Sequence, residues 1–257
     1  MDKLEREFEP QQDFKSLDEK LSNHGLETKE SLKLRSEIKK FFEDQHSAIS
    51  QELETDKFSV MVGGSLQAGT ADSYSDIDLT IILNSGDTRK IWIKGGVGET
   101  QNGIRGIFLF RPDSLRQKLQ RDVDINLLSV EDVLEQLKNL QSLETEEDRI
   151  IIIDDIIKIF SPQLYGISNI DGFRRSVILK LASMPNGETF WDQEVVPQFK
   201  AQLIERSGDE KGKTWPEREQ RDQLKSQEKN LLTKRIAMRL SEIKIPNFQK
   251  MKELYGI

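Results

Sequence analysis

Two aspartates one residue apart, Asp76 and Asp78, open a β-branched run that continues to Leu83. Shortly before them, a second apolar run from Phe58 to Val62 breaks at Gly63-Gly64-Ser65. On a strand, residues two apart point to the same face with their Cα atoms roughly 7 Å apart. Two like charges that close are poorly tolerated on a half-buried strand unless a cation neutralises them. A site of one or two carboxylates completed by substrate phosphates is what Mg²⁺ takes. Gly63 and Gly64 carry no Cβ, so the backbone there can turn sharply and approach a ligand. Ser65 falls where a helix would begin, and the unpartnered N–H groups of a first turn welcome a phosphate. The bland alternative is a turn between buried strands with solvated aspartates. A lone Gly-Ser or Asp-x-Asp would favour that alternative; the joint pattern, with strand-like runs on both sides, favours chemistry on a phosphate.

Gly64-Ser65 followed after ten residues by Asp76-x-Asp78 resembles the signature of the polymerase β-like nucleotidyltransferase superfamily. The fuller form, Gly63-Gly64-Ser65 with Gly69-Thr70 and Ser75-Asp76-Ile77-Asp78-Leu79, fits it at every small and acidic position. The resemblance implies transfer of a nucleoside monophosphate from an NTP to a hydroxyl, with two divalent metals held by three carboxylates. Asp76 and Asp78 are then metal-binding and catalytic, with Mg²⁺ (or Mn²⁺) as the ions and ATP or another NTP as co-substrate. Gly64 and Ser65 would hold the β- and γ-phosphates through their amides and the Ser65 hydroxyl. The third carboxylate is expected at Asp124, inside Val123-Asp124-Ile125-Asn126-Leu127, where alternation puts Val123, Ile125 and Leu127 on one face and Asp124 and Asn126 on the other. Asp124 would complete the first metal and orient or deprotonate the acceptor hydroxyl. Asp122 shares that face and is the rival, and a polar outer face on an edge strand is the bland alternative. Asp124 is preferred because it lies within the apolar run. Lys180, with Arg174 and Arg175 on the same segment, is a candidate to meet the triphosphate across a cleft, although basic side chains on a helix are usually surface decoration.

These residues need elements to position them. From about Glu30 to Leu53, the positions Leu32, Leu34, Ile38, Phe41, Phe42, Ile49 and Leu53 recur at helical spacing, predicting one long amphipathic helix, or two. Strands are predicted over about 57–62, 77–83 and 121–128, with a turn at Asn84-Ser85-Gly86-Asp87. Residues 88–106 hold Trp92 among Gly95, Gly96, Gly98, Gly103 and Gly106, read as a bending loop or a bulged hairpin. Ile107 to Phe110 reads as a strand, Pro112 to Leu119 as a short helix, and Ser129 caps a helix over about 130–140. Residues 146–160 carry both a helix start at Thr145-x-x-Asp148 and four consecutive isoleucines; the isoleucines favour a strand ending near Asp154-Asp155, in a solvated turn. From Asp171 the pattern is helical, with a turn at Met184 to Gly187, a helix from about Trp191 to Ile204, a polar loop at 207–213 and a charged helix over about 216–243.

The resemblance and this order together imply an α+β fold: a small mixed β-sheet nucleotidyltransferase core with packed helices, followed by an α-helical C-terminal domain. The expected division is 1–28 as an N-terminal arm or helix, 29–165 as the nucleotidyltransferase domain and 166–257 as the helical domain. The closer resemblance, over roughly 57–128, is to stand-alone bacterial nucleotidyltransferases that include antibiotic adenylyltransferases for aminoglycosides and lincosamides. It implies AMP transfer from ATP onto a hydroxyl of a small-molecule acceptor with release of pyrophosphate. Transfer onto a tRNA end or a protein hydroxyl, and a catalytically inactive nucleotide-binding module, are the competing readings.

Composition narrows the chemistry. The 257 residues contain no cysteine, which excludes disulfides, thiolate metal sites and cysteine nucleophiles. Two histidines, His24 and His46, argue against a zinc site or a histidine mechanism and leave carboxylates as metal ligands. The net charge of −7 disfavours a dedicated nucleic-acid binder, although the C-terminal stretch is locally basic. No apolar run reaches the 18 or more residues of a membrane span and no secretory signal opens the chain, so a cytoplasmic enzyme is expected.

Overall fold

The computed structural model describes residues 28–71, 75–84, 92–93, 103–140, 145–166, 170–208 and 245–257, with the backbone alone at 92–93 and 204–208. The N-terminal segment before Thr28, most of the Asn84–Asp87 turn, Gly95, Gly96 and Gly98 of the glycine-rich stretch, and the charged helix expected over 216–243 lie outside these residues.

The predicted amphipathic helix is a single element, α1 (Lys29–Leu53). Thr28 caps it by accepting from the Ser31 amide, and it stops at Glu54, whose φ of 55° is left-handed. Leu34, Ile38, Phe41, Phe42 and Ile49 form its buried face; full burial of a side chain the size of Phe42 contributes about 2–3 kcal/mol. It packs on a five-stranded mixed sheet of order β3-β4-β2-β1-β5. The strands are β1 (Phe58–Val62), β2 (Ile77–Leu83), β3 (Trp92–Ile93), β4 (Val123–Ser129) and β5 (Gln163–Gly166). β1 runs antiparallel to β2 and β5, and β4 runs parallel to β2.

Alternation along these strands divides the core in two. Phe58, Val60, Val62, Ile77, Leu79, Ile81, Val123, Ile125 and Leu127 face α1. Met61, Ile82 and Leu128 face a second helical layer. That layer comprises α4 (Val130–Lys138), α5 (Glu146–Phe160), α6 (Ile170–Ala182), α7 (Gly187–Phe190), α8 (Val196–Gly208) and α9 (Phe248–Leu254). Two short helices complete the description: α2 (Gly64–Ala68), which follows β1 directly, and α3 (Leu115–Leu119), which precedes β4.

Three local expectations are corrected. Ile107 to Phe110 is not a strand but part of a π-helical turn, Gly106–Phe110. A short buried apolar run has no period to separate strand from helix. Residues 146–160 are the helix α5, not a strand: the Thr145 hydroxyl accepts from the Asp148 amide, and Ile152, Ile153, Ile156, Ile157 and Ile159 are buried. Fifteen residues with a cap and an acidic first turn overcome the β preference of isoleucine, because packing on the helical layer supplies more than propensity subtracts. The helix after Arg111 begins later than expected, at Leu115 with Ser114 as its cap, so Pro112 lies before it. The short strand β5 and helix α9 carry no strong sequence signal.

Candidate functional site

The site is built at one end of the sheet, where β1 leaves and β2 and β4 enter. Because β2 and β4 are parallel and in register, Asp78 and Asp124 are direct Cα partners on adjacent strands, followed by Thr80 with Asn126 and Ile82 with Leu128. Neighbouring strands are about 4.8 Å apart, so residues far apart in sequence stand side by side. The shared face grades from acidic through polar to apolar. Ile82 and Leu128 are sealed under the second helical layer, whereas Asp78 and Asp124 keep partial exposure between buried neighbours.

The glycine-serine turn closes over this pair. The Gly63 amide donates to the Asp78 carbonyl at 2.9 Å, which pins the turn to β2. Gly64 has φ +56°, and a Cβ on it would stand 1.9 Å from Asp78 Oδ2. The requirement for glycine therefore falls on Gly64; Gly63, at φ −118°, occupies ordinary extended backbone. Ser65 is the second residue of α2, and its Oγ is buried with no hydrogen-bond partner among the described residues. A buried, unsatisfied hydroxyl costs about 1–3 kcal/mol, so a ligand that accepts from it removes a standing penalty. α8 packs against α2 and forms a wall beside the turn. At the rear of α2, Arg35 donates to the Leu66 carbonyl, placing a cation at the helix's negative end.

Asp76 lies immediately before β2, at the mouth of the same end. The rival Asp122 does not join the pair: it precedes β4, its side chain is 67% exposed, and it bonds Arg116 at 3.2 Å. Among the described residues no three acidic or histidine side chains converge closely enough to hold an ion by themselves. Mg²⁺ is ordinarily bound through one or two carboxylates with phosphate and water completing the shell. The in-register pair Asp78 and Asp124, with Asp76 at the same end of the sheet, offers oxygen donors that fit such an ion once a phosphate completes its shell.

The basic residues expected across a cleft are placed elsewhere. Arg174 is 1% exposed; its guanidinium donates to the Ile159 carbonyl at 3.0 Å and the Ser161 carbonyl at 2.8 Å and pairs with Asp171. It clamps the end of α5 to α6 and is inaccessible to a nucleotide. Arg175 donates to the Tyr255 carbonyl at 3.1 Å. Lys180 lines a groove between α4 and α6 with Glu131, Glu135 and Lys138. None of Asp76, Asp78 and Asp124 lines that groove. The structure does not bring Lys180 to the carboxylates.

His46 is also remote, stacked on Phe58 at the opposite end of β1, with ring nitrogens 3.1 Å from the Tyr165 hydroxyl and 3.2 Å from Ser50 Oγ. Asp154 and Asp155, expected in a solvated turn, stand within α5. Lys158 bonds both, at 2.8 and 3.0 Å, and Gln202 of α8 donates to Asp154. Burial raises the Asp155 carboxyl above its usual range, against the opposing pull of Lys158. Burial acts to lower Lys158, but the charges of Asp155 and Asp154 outweigh it and hold the ammonium above its ordinary value.

Sequence reading passed over the residues that brace the signature loop. Thr28 and Ser31, both at the start of α1, bond Gly69 and Ala71: the Thr28 amide donates to Gly69 O at 3.0 Å and the Ala71 amide to Ser31 Oγ at 2.9 Å. The only advance signal is a threonine of capping type ahead of an amphipathic run.

With this geometry in place, comparison with known proteins adds one match. The family model described as Nucleotidyltransferase domain covers residues 35–164, just over half of the chain, from within α1 into β5. No curated protein and no solved structure matches the chain.

Proposed function

The chain belongs to the nucleotidyltransferase domain family, and from that premise we propose that it transfers a nucleoside monophosphate, AMP from ATP, onto a hydroxyl of a small-molecule acceptor. The observation that carries this reading is the register of Asp78 with Asp124 beneath the Gly64 turn, whose next residue, Ser65, has an Oγ unsatisfied among the described residues.

The residues divide the work as follows. Ser65 Oγ donates to a phosphate oxygen of the NTP tail, aided by the first-turn amides of α2. Asp76, Asp78 and Asp124 would hold the divalent cations, Mg²⁺ or Mn²⁺. When bound, those ions neutralise charge on the attacking and leaving oxygens of an in-line displacement. Asp124 accepts the acceptor's hydroxyl proton as its oxygen attacks the α-phosphorus. One P–O bond forms to the acceptor, the bond from the α-phosphorus to the bridging oxygen breaks, and pyrophosphate leaves with the electron pair. Positioning and charge supply most of the rate, since phosphoryl-type transfer leaves side chains little covalent work.

A small acceptor is favoured by the net charge of −7, which opposes a polyanionic partner. The test is incubation with each α-labelled NTP, Mg²⁺ or Mn²⁺, and fractionated cell extract. Label in the small-molecule fraction with pyrophosphate release supports the proposal. Label confined to RNA or protein reassigns the acceptor, and metal-dependent turnover of no NTP refutes transfer altogether.

A further inference from the structure

Of the three carboxylates, Asp78 and Asp124 are fixed by the sheet, but Asp76 precedes the first residue of β2. Its two neighbours in sequence are held by the residues just ahead of β4. On one side of Asp76, the Ser75 carbonyl accepts from Arg121 Nη1 at 2.9 Å. On the other, the Ile77 amide donates to the Asp122 carbonyl at 2.9 Å. Arg121 and Asp122 thus grip both flanks of Asp76, and they lie three and two residues before Asp124 on the same segment.

The grip is itself locked. Arg121 Nη2 bonds Glu30 Oε1 at 2.5 Å, with the Arg121 side chain only 7% exposed and Glu30 29%. Glu30 lies in the first turn of α1, between Thr28 and Ser31, which hold Gly69 and Ala71. One turn of helix therefore fastens Gly69 and Ala71 directly and Ser75 through Arg121. A guanidinium suits the task because its rigid fork serves two acceptors in different directions at once, which an ammonium on a flexible stem does not do in the same geometry.

We infer that Arg121, locked by Glu30, is a positioning residue that sets Asp76 against Asp124 and thereby tunes the affinity of the divalent-cation site. The consequence for the cation rests on the nucleotidyl-transfer reading; the grip rests on the geometry alone. The two are separable by experiment. Mn²⁺ binding in the presence of ATP is measured by electron paramagnetic resonance, and amide hydrogen exchange is followed over residues 75–78 and 125–128. Arg121→Gln is expected to weaken Mn²⁺ binding about 10-fold or more, the range for losing a group that orients a ligand. It should speed exchange at Ile77 while leaving 125–128 at the wild-type rate. Arg121→Lys should recover part of the affinity and Glu30→Gln should lose less than Arg121→Gln. Folded Arg121→Gln with wild-type Mn²⁺ affinity overturns the inference. Should that variant fail to fold, wild-type Mn²⁺ affinity in both Arg121→Lys and Glu30→Gln overturns it equally. Wild-type protein that binds no Mn²⁺ with ATP refutes the transfer reading, and the inference with it, even if exchange at Ile77 responds.

Discussion

Two pairs of aspartates in this molecule invite comparison. Asp154 and Asp155 are adjacent in sequence, lie within α5, and share Lys158 one turn later. Asp78 and Asp124 are far apart in sequence, yet β2–β4 register makes them neighbours at an open end of the sheet, under a turn whose serine hydroxyl has no partner among the described residues. The helical pair carries its cation within the chain, on α5, with Gln202 of α8 donating to Asp154. The strand pair presents both carboxylates on one face next to a group suited to phosphate. The difference lies in geometry and company: adjacency in sequence yields an internally balanced cluster, and adjacency in register yields a site with capacity for a ligand.

The comparison breaks first at Asp78. Asp78→Asn should lower NMP transfer by more than about 100-fold, the loss that removing only an orienting partner can already reach. Its thermal midpoint should stay unchanged or rise, because one of two neighbouring like charges is gone. Steady-state transfer beside thermal melting checks both halves. Next in size is Gly64→Ala, which sets a Cβ against Asp78 Oδ2 and forces a left-handed backbone on alanine. A loss of about 1–2 kcal/mol in denaturant unfolding is expected, with transfer falling at least 10-fold as the carboxylate is displaced.

The helical pair should behave in the opposite way. Lys158→Met strands two carboxylates in a partly buried setting and should cost about 2 kcal/mol at pH 7, below the full cost of breaking a buried pair because Asp154 is about one-third exposed. Transfer by the folded fraction should be unchanged. The sign with pH follows from Asp155. Its folded carboxyl is raised above the unfolded value, so its contribution is full at acid pH and is lost as pH rises through the folded pKa. Removing Lys158 raises that carboxyl further, so the variant's deficit should shrink as pH falls from 7 towards 5. Lys158 is also raised, so the stability that this ammonium adds to the wild type should fade only above its ordinary range, near pH 10.5 and beyond. Urea titrations at several pH values measure both. The smallest effect belongs to Lys180→Ala, expected to leave the KM for ATP within about twofold because none of the three carboxylates lines its groove.

Much of the fold was legible because its signals were local. The apolar face of α1 repeats every three to four residues, and β4 alternates cleanly from Val123 to Leu127, so both elements and the facing of Asp124 could be read directly. α5 was misread because four isoleucines argue for a strand residue by residue, whereas a cap at Thr145 and burial against the helical layer act over the whole element. β5 escaped notice because four half-exposed residues carry no periodicity. The site divides along the same line. The chemical character of Asp76, Asp78 and Ser65 followed from spacing, but the register that sets Asp78 beside Asp124 is a property of two strands at once. Arg174 was offered as a nucleotide contact because a sequence shows a charge and not the carbonyls that it serves. Arg121 went unassigned for the converse reason: its partners, Ser75 and Glu30, come from distant parts of the chain.

The central claim is that Asp78 and Asp124 serve the same divalent cation. A double-mutant cycle on Mn²⁺ affinity in the presence of ATP, using Asp78→Asn, Asp124→Asn and the pair, tests it most directly. The account predicts that each single change removes most of the affinity and that the double change removes little more, since the first already empties the shared position. Wild-type Mn²⁺ affinity in Asp124→Asn, or losses that simply add, would contradict it.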